Sequence, residues 1–399
     1  MIGWGRNAEG QTSIPAGLTN VDVAACGAMH SMALTSNGTI LAWGDDSSGQ
    51  ASVTPTVDMD LTNVKAISAC EAHLLALRDD GSVVAWGSNE SGQTNVPADL
   101  TEVIAINGGD AYSMALQSNG DVRAWGANHD GQIDVPADLT DVIAIGAGSK
   151  HALAINADGT VTAWGNNNYG QSEVPTTLYE ATMIAGGKHH SLALQSDGTV
   201  MAWGRNNYGQ TQVPPGLDDV VSIACGSDHC LAVRADGTVI GWGRNSNGQL
   251  SIPADLEDVT VTDGGTEHSI ALTRHGQIVA WGGVVNSGPG PGGGGGPNSI
   301  FGPFQYGQAR EPTLINDHVL VSAGGDNSMA VRDRCAPCSP ADFNNDQVVN
   351  VFDLLFLFGV LGQGCQESSP DACRADLNHD GGVGADDLGL LLQQWGQCP

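Results

Sequence analysis

The sequence predicts a mostly β protein: a β-propeller of four-stranded blades over residues 1–333, with a small α-helical domain over 334–399. Three observations predict it. Trp-Gly recurs at Trp4, Trp43, Trp86, Trp125, Trp164, Trp203, Trp242 and Trp281, with six of the seven spacings at 39 residues and the other at 43. Gly-Gln follows seven residues on, at Gln11, Gln50, Gln93, Gln132, Gln171, Gln210 and Gln249, with Gln308 displaced by an insertion. Near the C-terminal end, two oxygen-rich loops lie 34 residues apart, each followed by an apolar run.

A fixed period of this length marks a repeat architecture, and each repeat divides into short strands. Val220 to Ala224 alternates apolar and polar positions, and His190 to Gln195 alternates again. Asp197-Gly198 is a tight hairpin signal, because glycine tolerates positive φ. Thr199 to Trp203 forms the third strand and Gly204 to Gln210 a polar loop. Val213-Pro214 reads as a short outer strand, where proline is tolerated at an edge. Four antiparallel strands per repeat make one propeller blade; a solenoid or β-helix prefers shorter repeats and fewer hairpins.

The ends of the repeat array complement one another. Seven whole units run from Val21 to Trp281, and an eighth begins near Val319 and continues through Asn327 to Val331 without its Trp-Gly strand. Ile2-Gly3-Trp4-Gly5 supplies the missing strand, so pairing the two ends closes the ring and removes exposed edges. The count is eight units with one split, or seven blades if the irregular end packs outside the ring.

Composition bounds the function. Glycine accounts for 56 of 399 residues and charged residues for 15%, as in a turn-rich β protein. Acidic residues outnumber basic ones 44 to 14, for a net charge of −30. Such a surface repels phosphate backbones and anionic membranes, and favours cations and basic partners. No run of 18 apolar residues is present, so no membrane span is expected. Met1 runs directly into repeat material, which suggests a start inside a longer reading frame, with a cytoplasmic protein as the other reading. There is no Gly-x-Ser-x-Gly, no phosphate loop and no carboxylate pair at a catalytic spacing, so the chain is expected not to be an enzyme. The Gly-rich run Ser287–Ser299 lacks the strand and helix of a phosphate cradle.

The pattern AWGxNxxGQxxVP…L…V…IAxGxxHSLALxxDGTV, covering residues 1 to about 333, resembles the regulator of chromosome condensation repeat family. Its short 39-residue form is most similar to a secreted bacterial β-lactamase inhibitor built of such repeats. The resemblance implies a propeller of seven blades, one fewer than the repeat count. It also implies regulatory roles, as a nucleotide-exchange factor for a small GTPase or as an enzyme inhibitor.

Hairpin parity places the Gly-x-x-His turn and the Trp-Gly-x-Asn-x-x-Gly-Gln loop of every unit on one face, where a protein partner is expected. Those loops supply Glu90, His129, Asp130, Lys150, Tyr169, Lys188, His189, Tyr208, Asp228 and Glu267 as candidate contacts. Aromatics are few: Tyr169 and Tyr208 stand out, with Tyr306 in the irregular unit. His30, His73, His151, His190, His229 and His268 recur in register, with Tyr112 and Asn327 in two units. A residue repeated in every unit serves the repeat, and each is expected to tie down its own turn by a hydrogen bond. Cys26, Cys70, Cys225 and Cys230 read as small core residues.

The C-terminal loops carry the strongest chemical signal. Asp342, Asn344, Asp346, Asn350 and Asp353 place oxygen side chains at loop positions 1, 3, 5, 9 and 12, and Val348 offers the position-7 carbonyl. Asp376, Asn378, Asp380 and Asp387 repeat the set, with the Gly382 carbonyl at position 7 and water in place of a Gly384 side chain at position 9. Calcium takes six to eight oxygen ligands, and this spacing wraps them round one ion per loop. Gln347 stands where a glycine makes the sharp turn, so the first site is expected to be the weaker. Leu354, Leu355, Leu357 and Phe358 follow the first loop and Leu388, Leu390, Leu391 and Leu392 the second, each ending at a glycine, Gly362 or Gly396.

Aspartate at position 12, and cysteine and proline in place of an entering helix, make residues Cys338 to Cys398 resemble the dockerin family. That resemblance implies two calcium ions, a cohesin-like partner and an extracellular or cell-surface setting, often beside polysaccharide-degrading enzymes. Cys335, Cys338, Cys365, Cys373 and Cys398 crowd this segment, as disulfides in an oxidising compartment would require. A zinc site at Cys335 and Cys338 lacks a second ligand pair. Taken together, the chain is expected to be a non-catalytic, monomeric, extracellular binding or scaffold protein. A propeller regulator and an accessory to polysaccharide degradation are the alternatives.

Overall fold

The computed structural model describes residues 2–52, 61, 63–274, 278–283, 299–301, 320–325 and 327–331. The candidate calcium ligands from Asp342 to Asp387, the Gly-rich run before Ser299, and Tyr306 lie outside the described residues.

Eight antiparallel sheets account for the described residues, and no helix occurs among them. Unit 1 is Val21–Cys26, His30–Thr35 and Ile40–Gly44; unit 2 is Val64–Ala69, His73–Arg78 and Val83–Gly87. Unit 3 is Val103–Gly108, Tyr112–Gln117 and Val122–Gly126; unit 4 is Val142–Ala147, His151–Asn156 and Val161–Gly165. Unit 5 is Ala181–Gly186, His190–Gln195 and Val200–Gly204; unit 6 is Val220–Cys225, His229–Arg234 and Val239–Gly243. Unit 7 is Val259–Gly264, His268–Thr273 and Ile278–Gly282, to which Ser299–Phe301 adds a fourth strand. Unit 8 combines Leu320–Ala323 and Asn327–Val331 with Ile2–Gly5 from the other end of the chain.

Middle strands are buried along nearly their whole length because neighbouring sheets cover both faces. Large and small residues alternate to suit. Leu192 and Leu194 of unit 5 pack against Ile223, Cys230, Ala232 and Trp242 of unit 6. On its other face unit 5 presents Ala193 to Leu153 and Ile155 of unit 4. A fully buried leucine stabilises by about 1.5–3 kcal/mol, and the interface between units 3 and 4 repeats this fit, with Met114 and Leu116 against Ala152 and Ala154.

Unit 8 closes the ring. Ile2–Gly5 pairs antiparallel with Asn327–Ala330, setting Gly3 opposite Met329. The Cys26 N–H of unit 1 donates to Ser322 Oγ at 2.9 Å, and the Gly325 N–H donates to the Gly27 carbonyl at 3.2 Å. From unit 7, Asp263 Oδ2 accepts the Ala323 N–H at 3.0 Å, and the Gly325 carbonyl accepts from Thr266 N–H at 2.9 Å. The eight units read from the repeats therefore stand as eight sheets, one more than the seven blades the family resemblance implied.

The expected outer strand at Val213-Pro214 does not form, and every sheet but that of unit 7 has three strands among the described residues where four were expected. Two successive turns use the backbone instead: Gln212 N–H donates to the Gly209 carbonyl and Leu217 N–H to the Pro214 carbonyl. Pro214 and Pro215 have no N–H to offer a ladder. The segment still packs, placing Val213 and Leu217 on the core between units 5 and 6.

Candidate partner-binding face

Each Trp-Gly loop is built to one plan. Gly204 takes a φ of 101°, and a Cβ there would lie 2.7 Å from the His189 carbonyl oxygen, so only glycine lets the loop leave the strand. Asn206 Oδ1 accepts the Thr211 N–H at 3.1 Å, and Gln210 Oε1 accepts the Tyr208 N–H at 2.8 Å. Asn167 and Gln171 do the same for the loop that carries Tyr169. The Trp-Gly-x-Asn-x-x-Gly-Gln motif is therefore a self-bonded loop that holds its tip residue outward. Tyr169 and Tyr208 are 47% and 45% exposed although their backbone is fixed.

The Gly-x-x-His turns lie beside these loops, and side chains from the two join into one ladder over units 4 to 7. The His189 ring lies 5.1 Å from that of Tyr169, tilted by 48°. Arg205 stands 5.3 Å from the Tyr169 ring centroid and 5.6 Å from that of Tyr208, and Arg244 lies 5.4 Å from the Tyr208 centroid. Asp228 is 3.8 Å from both guanidinium groups, and Glu267 is 3.5 Å from Arg244. Burial, then the charges of Arg205 and Lys188, lowers the His189 pKa, so its ring stays neutral at pH 7. The acidic partners neutralise the arginines, and the arginines hold the tyrosine rings in place.

Of the candidate contacts, the structure thus joins Tyr169, His189, Tyr208, Asp228 and Glu267. Lys150 lies 3.8 Å from Asp130 in the adjoining loop pair. Lys188 is exposed, and its charge and that of Lys150 act on Glu71 and Asp110, whose carboxyl pKa values burial raises. Glu90 and His129 are exposed and stand outside the ladder. Arg205 and Arg244, which link the ladder, were not among the candidates. The signal for them was available: both follow Trp-Gly directly, 39 residues apart.

The recurring histidines were expected to tie down their own turns; His73, His151, His190, His229 and His268 reach the next unit instead, while neither ring nitrogen of His30 has a hydrogen-bond partner. Nε2 of His73, His151 and His229 lies 3.0, 2.9 and 2.9 Å from Oγ of Ser113, Ser191 and Ser269. Those hydroxyls donate onward to the carbonyls of Gln93, Gln171 and Gln249, which also accept from the indoles of Trp125, Trp203 and Trp281. A hydroxyl that donates to a carbonyl must accept from the imidazole, so the proton sits on Nε2. Nδ1 of these three rings has no hydrogen-bond partner. Where unit 4 has Ala152 in the serine register, unit 3 carries the larger Tyr112, whose hydroxyl reaches the Gly148 and His151 carbonyls.

Eight sheets in a closed ring, with paired loops gathered on one face, define a β-propeller of the kind that presents a loop surface. The chain belongs to the RCC1-like domain family, whose model matches residues 4–250. Among solved structures, Prp20p from Saccharomyces cerevisiae, reported with its binding to Gsp1p and histones, is similar at a TM-score of 0.53 and 20% identity, over 72% of this chain and 90% of that one. Yeast RCC1 (Prp20) bound to Kap60 gives 0.51 and 19%, over 82% and 87%. The ectodomain of the Physcomitrella patens receptor kinase CR4 gives 0.52 and 19%, over 66% and 73%. At these identities the likeness is one of fold. No curated protein sequence matches the chain. No helix among the described residues is long and apolar enough to cross a membrane.

Proposed function

We propose that the protein is a non-catalytic extracellular binding protein, whose propeller recognises a protein partner and whose C-terminal module attaches it, with two calcium ions, to a cohesin-like domain on a scaffold or cell surface. The ladder of Tyr169, Arg205, Tyr208 and Arg244 carries the recognition half of this reading. Tyrosine and arginine are the residues that dominate protein interfaces, and here they are rigid before any partner arrives. Prp20p, a protein of like fold, is reported with partners that are themselves proteins, Gsp1p, histones and Kap60. The oxygen-rich loops at Asp342–Asp353 and Asp376–Asp387 carry the attachment half.

The recognition test uses the immobilised chain to capture proteins from the culture medium of its source. Replacing Tyr169 and Tyr208 by alanine is expected to weaken capture at least tenfold, about 1.4 kcal/mol or more, without moving the thermal midpoint. Asp236→Ala, in the hairpin at the opposite end of the strands, is expected to change nothing. Equal capture by wild type and the tyrosine variant would overturn the assignment of this face.

Calorimetry of the full chain is expected to show about two calcium sites. Asp342→Ala and Asp376→Ala should each remove one, and absence of calcium uptake at neutral pH would refute the attachment half alone.

A further inference from the structure

At one interface the repeat departs from its own rule. In the register held by Ser31, Ser113, Ser191, Ser269 and Ser328, unit 6 carries Cys230. One position before the Gly-x-x-His turn, where units 2, 4, 5 and 7 have Ala69, Ala147, Gly186 and Gly264, unit 6 carries Cys225. The two cysteines are directly opposed across their strand pair. Both face His190 of unit 5: Cys230 Sγ is 3.2 Å from His190 Nε2, and Nε2 and the two sulfurs all lie within 4.8 Å of one another. Unit 1 also has a cysteine in the position of Cys225, Cys26, but it meets Ser31 and no histidine of the preceding unit, which holds Asn327.

We propose that His190, Cys225 and Cys230 form a binding site for a soft closed-shell metal cation, Zn2+ or Cu(I), which staples unit 5 to unit 6. Thiolate and imidazole are the donors such cations prefer. A cation about 2.0–2.1 Å from nitrogen and about 2.3 Å from each sulfur fits a triangle of this size with small side-chain movements. With Zn2+ the two thiolates make a neutral centre, which removes the penalty of burying a charge. Cys225 is partly exposed while His190 and Cys230 are buried, so an ion has a way in and is then enclosed. Binding releases the two thiol protons and moves the imidazole proton from Nε2 to Nδ1.

The rest of the ring supplies variants that fold. Cys230→Ser and Cys225→Ala restore the residues of the other units, and His190→Asn copies the Asn327 of unit 8. The full chain and each variant are titrated with Zn2+, with Co2+ as a spectroscopic probe, and anaerobically with Cu(I). The five C-terminal cysteines are common to all, so the difference between wild type and variant belongs to the propeller. Wild type is expected to bind one metal equivalent more than each variant, and to gain about 5 °C in thermal midpoint that the variants do not. A thiolate-to-cobalt absorption present only in wild type assigns Zn2+; uptake of Cu(I) without Co2+ or Zn2+ assigns the three-coordinate alternative. Equal stoichiometry and equal midpoint gain in wild type and variants would overturn the site. So would a Cys225–Cys230 disulfide in protein held under reductant with metal present.

Discussion

Deleting residues 1–5 is expected to open the ring and lower the thermal midpoint by about 10 °C. The deletion removes the strand paired with Asn327–Ala330 and leaves unit 8 with two strands. Four paired residues lose their ladder, at about 1 kcal/mol for each hydrogen bond, and a loss of about 4 kcal/mol shifts a large domain by about 10 °C. The strand Asn327–Val331 then becomes a bare edge, which invites pairing with another chain. Scanning calorimetry and light scattering read the two consequences. A synthetic peptide of residues 1–5, added in trans, should restore the midpoint because it supplies the missing strand. A deletion variant that melts with wild type would show that the ring does not depend on its closing strand.

The second large effect is acid instability, from the histidines between units. Burial lowers His30 and His73 to about 4, and His151 and His229 to about 3, from an ordinary 6.5. In the folded ring these groups stay neutral; in the unfolded chain they take up protons below pH 6.5. Their contribution to stability is therefore complete above pH 6.5 and is lost as pH falls toward 3–4, at about 1.4 kcal/mol per pH unit for each. Asp263 acts in the opposite sense, because burial raises its carboxyl to about 7 and the folded state then binds the extra proton between about pH 7 and 4. Four histidines less one aspartate leave about three protons, or about 4 kcal/mol per pH unit. A ring with about 5–10 kcal/mol of stability, within the ordinary range, should therefore unfold between about pH 5 and 4. Urea melts at stepped pH check this. His151→Asn and His229→Asn, which copy unit 8, should each move the acid midpoint to lower pH; midpoints that stay fixed would refute the cause.

The ring and its closure could be read from residue order because the 39-residue period is nearly unbroken and each end of the array lacks what the other has. The missing fourth strand was harder to see. Val213-Pro214 has the apolar character of an edge strand, and only the turn bonds at Gly209 and Pro214 show the backbone committed elsewhere. The direction of the histidine bonds was written in the sequence but not in any single repeat. His-Ser pairs at 190–191 and 268–269 place two bonding groups side by side in the chain, and the fold then offers each to a different neighbour. The ladder on the loop face was half legible. Tyrosine attracts notice at an exposed loop tip, whereas Arg205 and Arg244 have meaning only once two loops and a turn from three units lie together.

Every one of these histidine bonds points the same way round the ring, from one unit to the next. A unit inserted by gene duplication would arrive with a donor for its successor and an acceptor for its predecessor, so whole repeats can be gained without new invention. A single substitution has no such freedom. When unit 4 carries Ala152 in place of serine, the compensation sits a full repeat away, in the tyrosine of unit 3. Heredity in this ring is therefore easy by the repeat and constrained by the residue: where unit 2 carries Leu74 in the serine register and unit 1 keeps its histidine, both ring nitrogens of His30 are left without a partner.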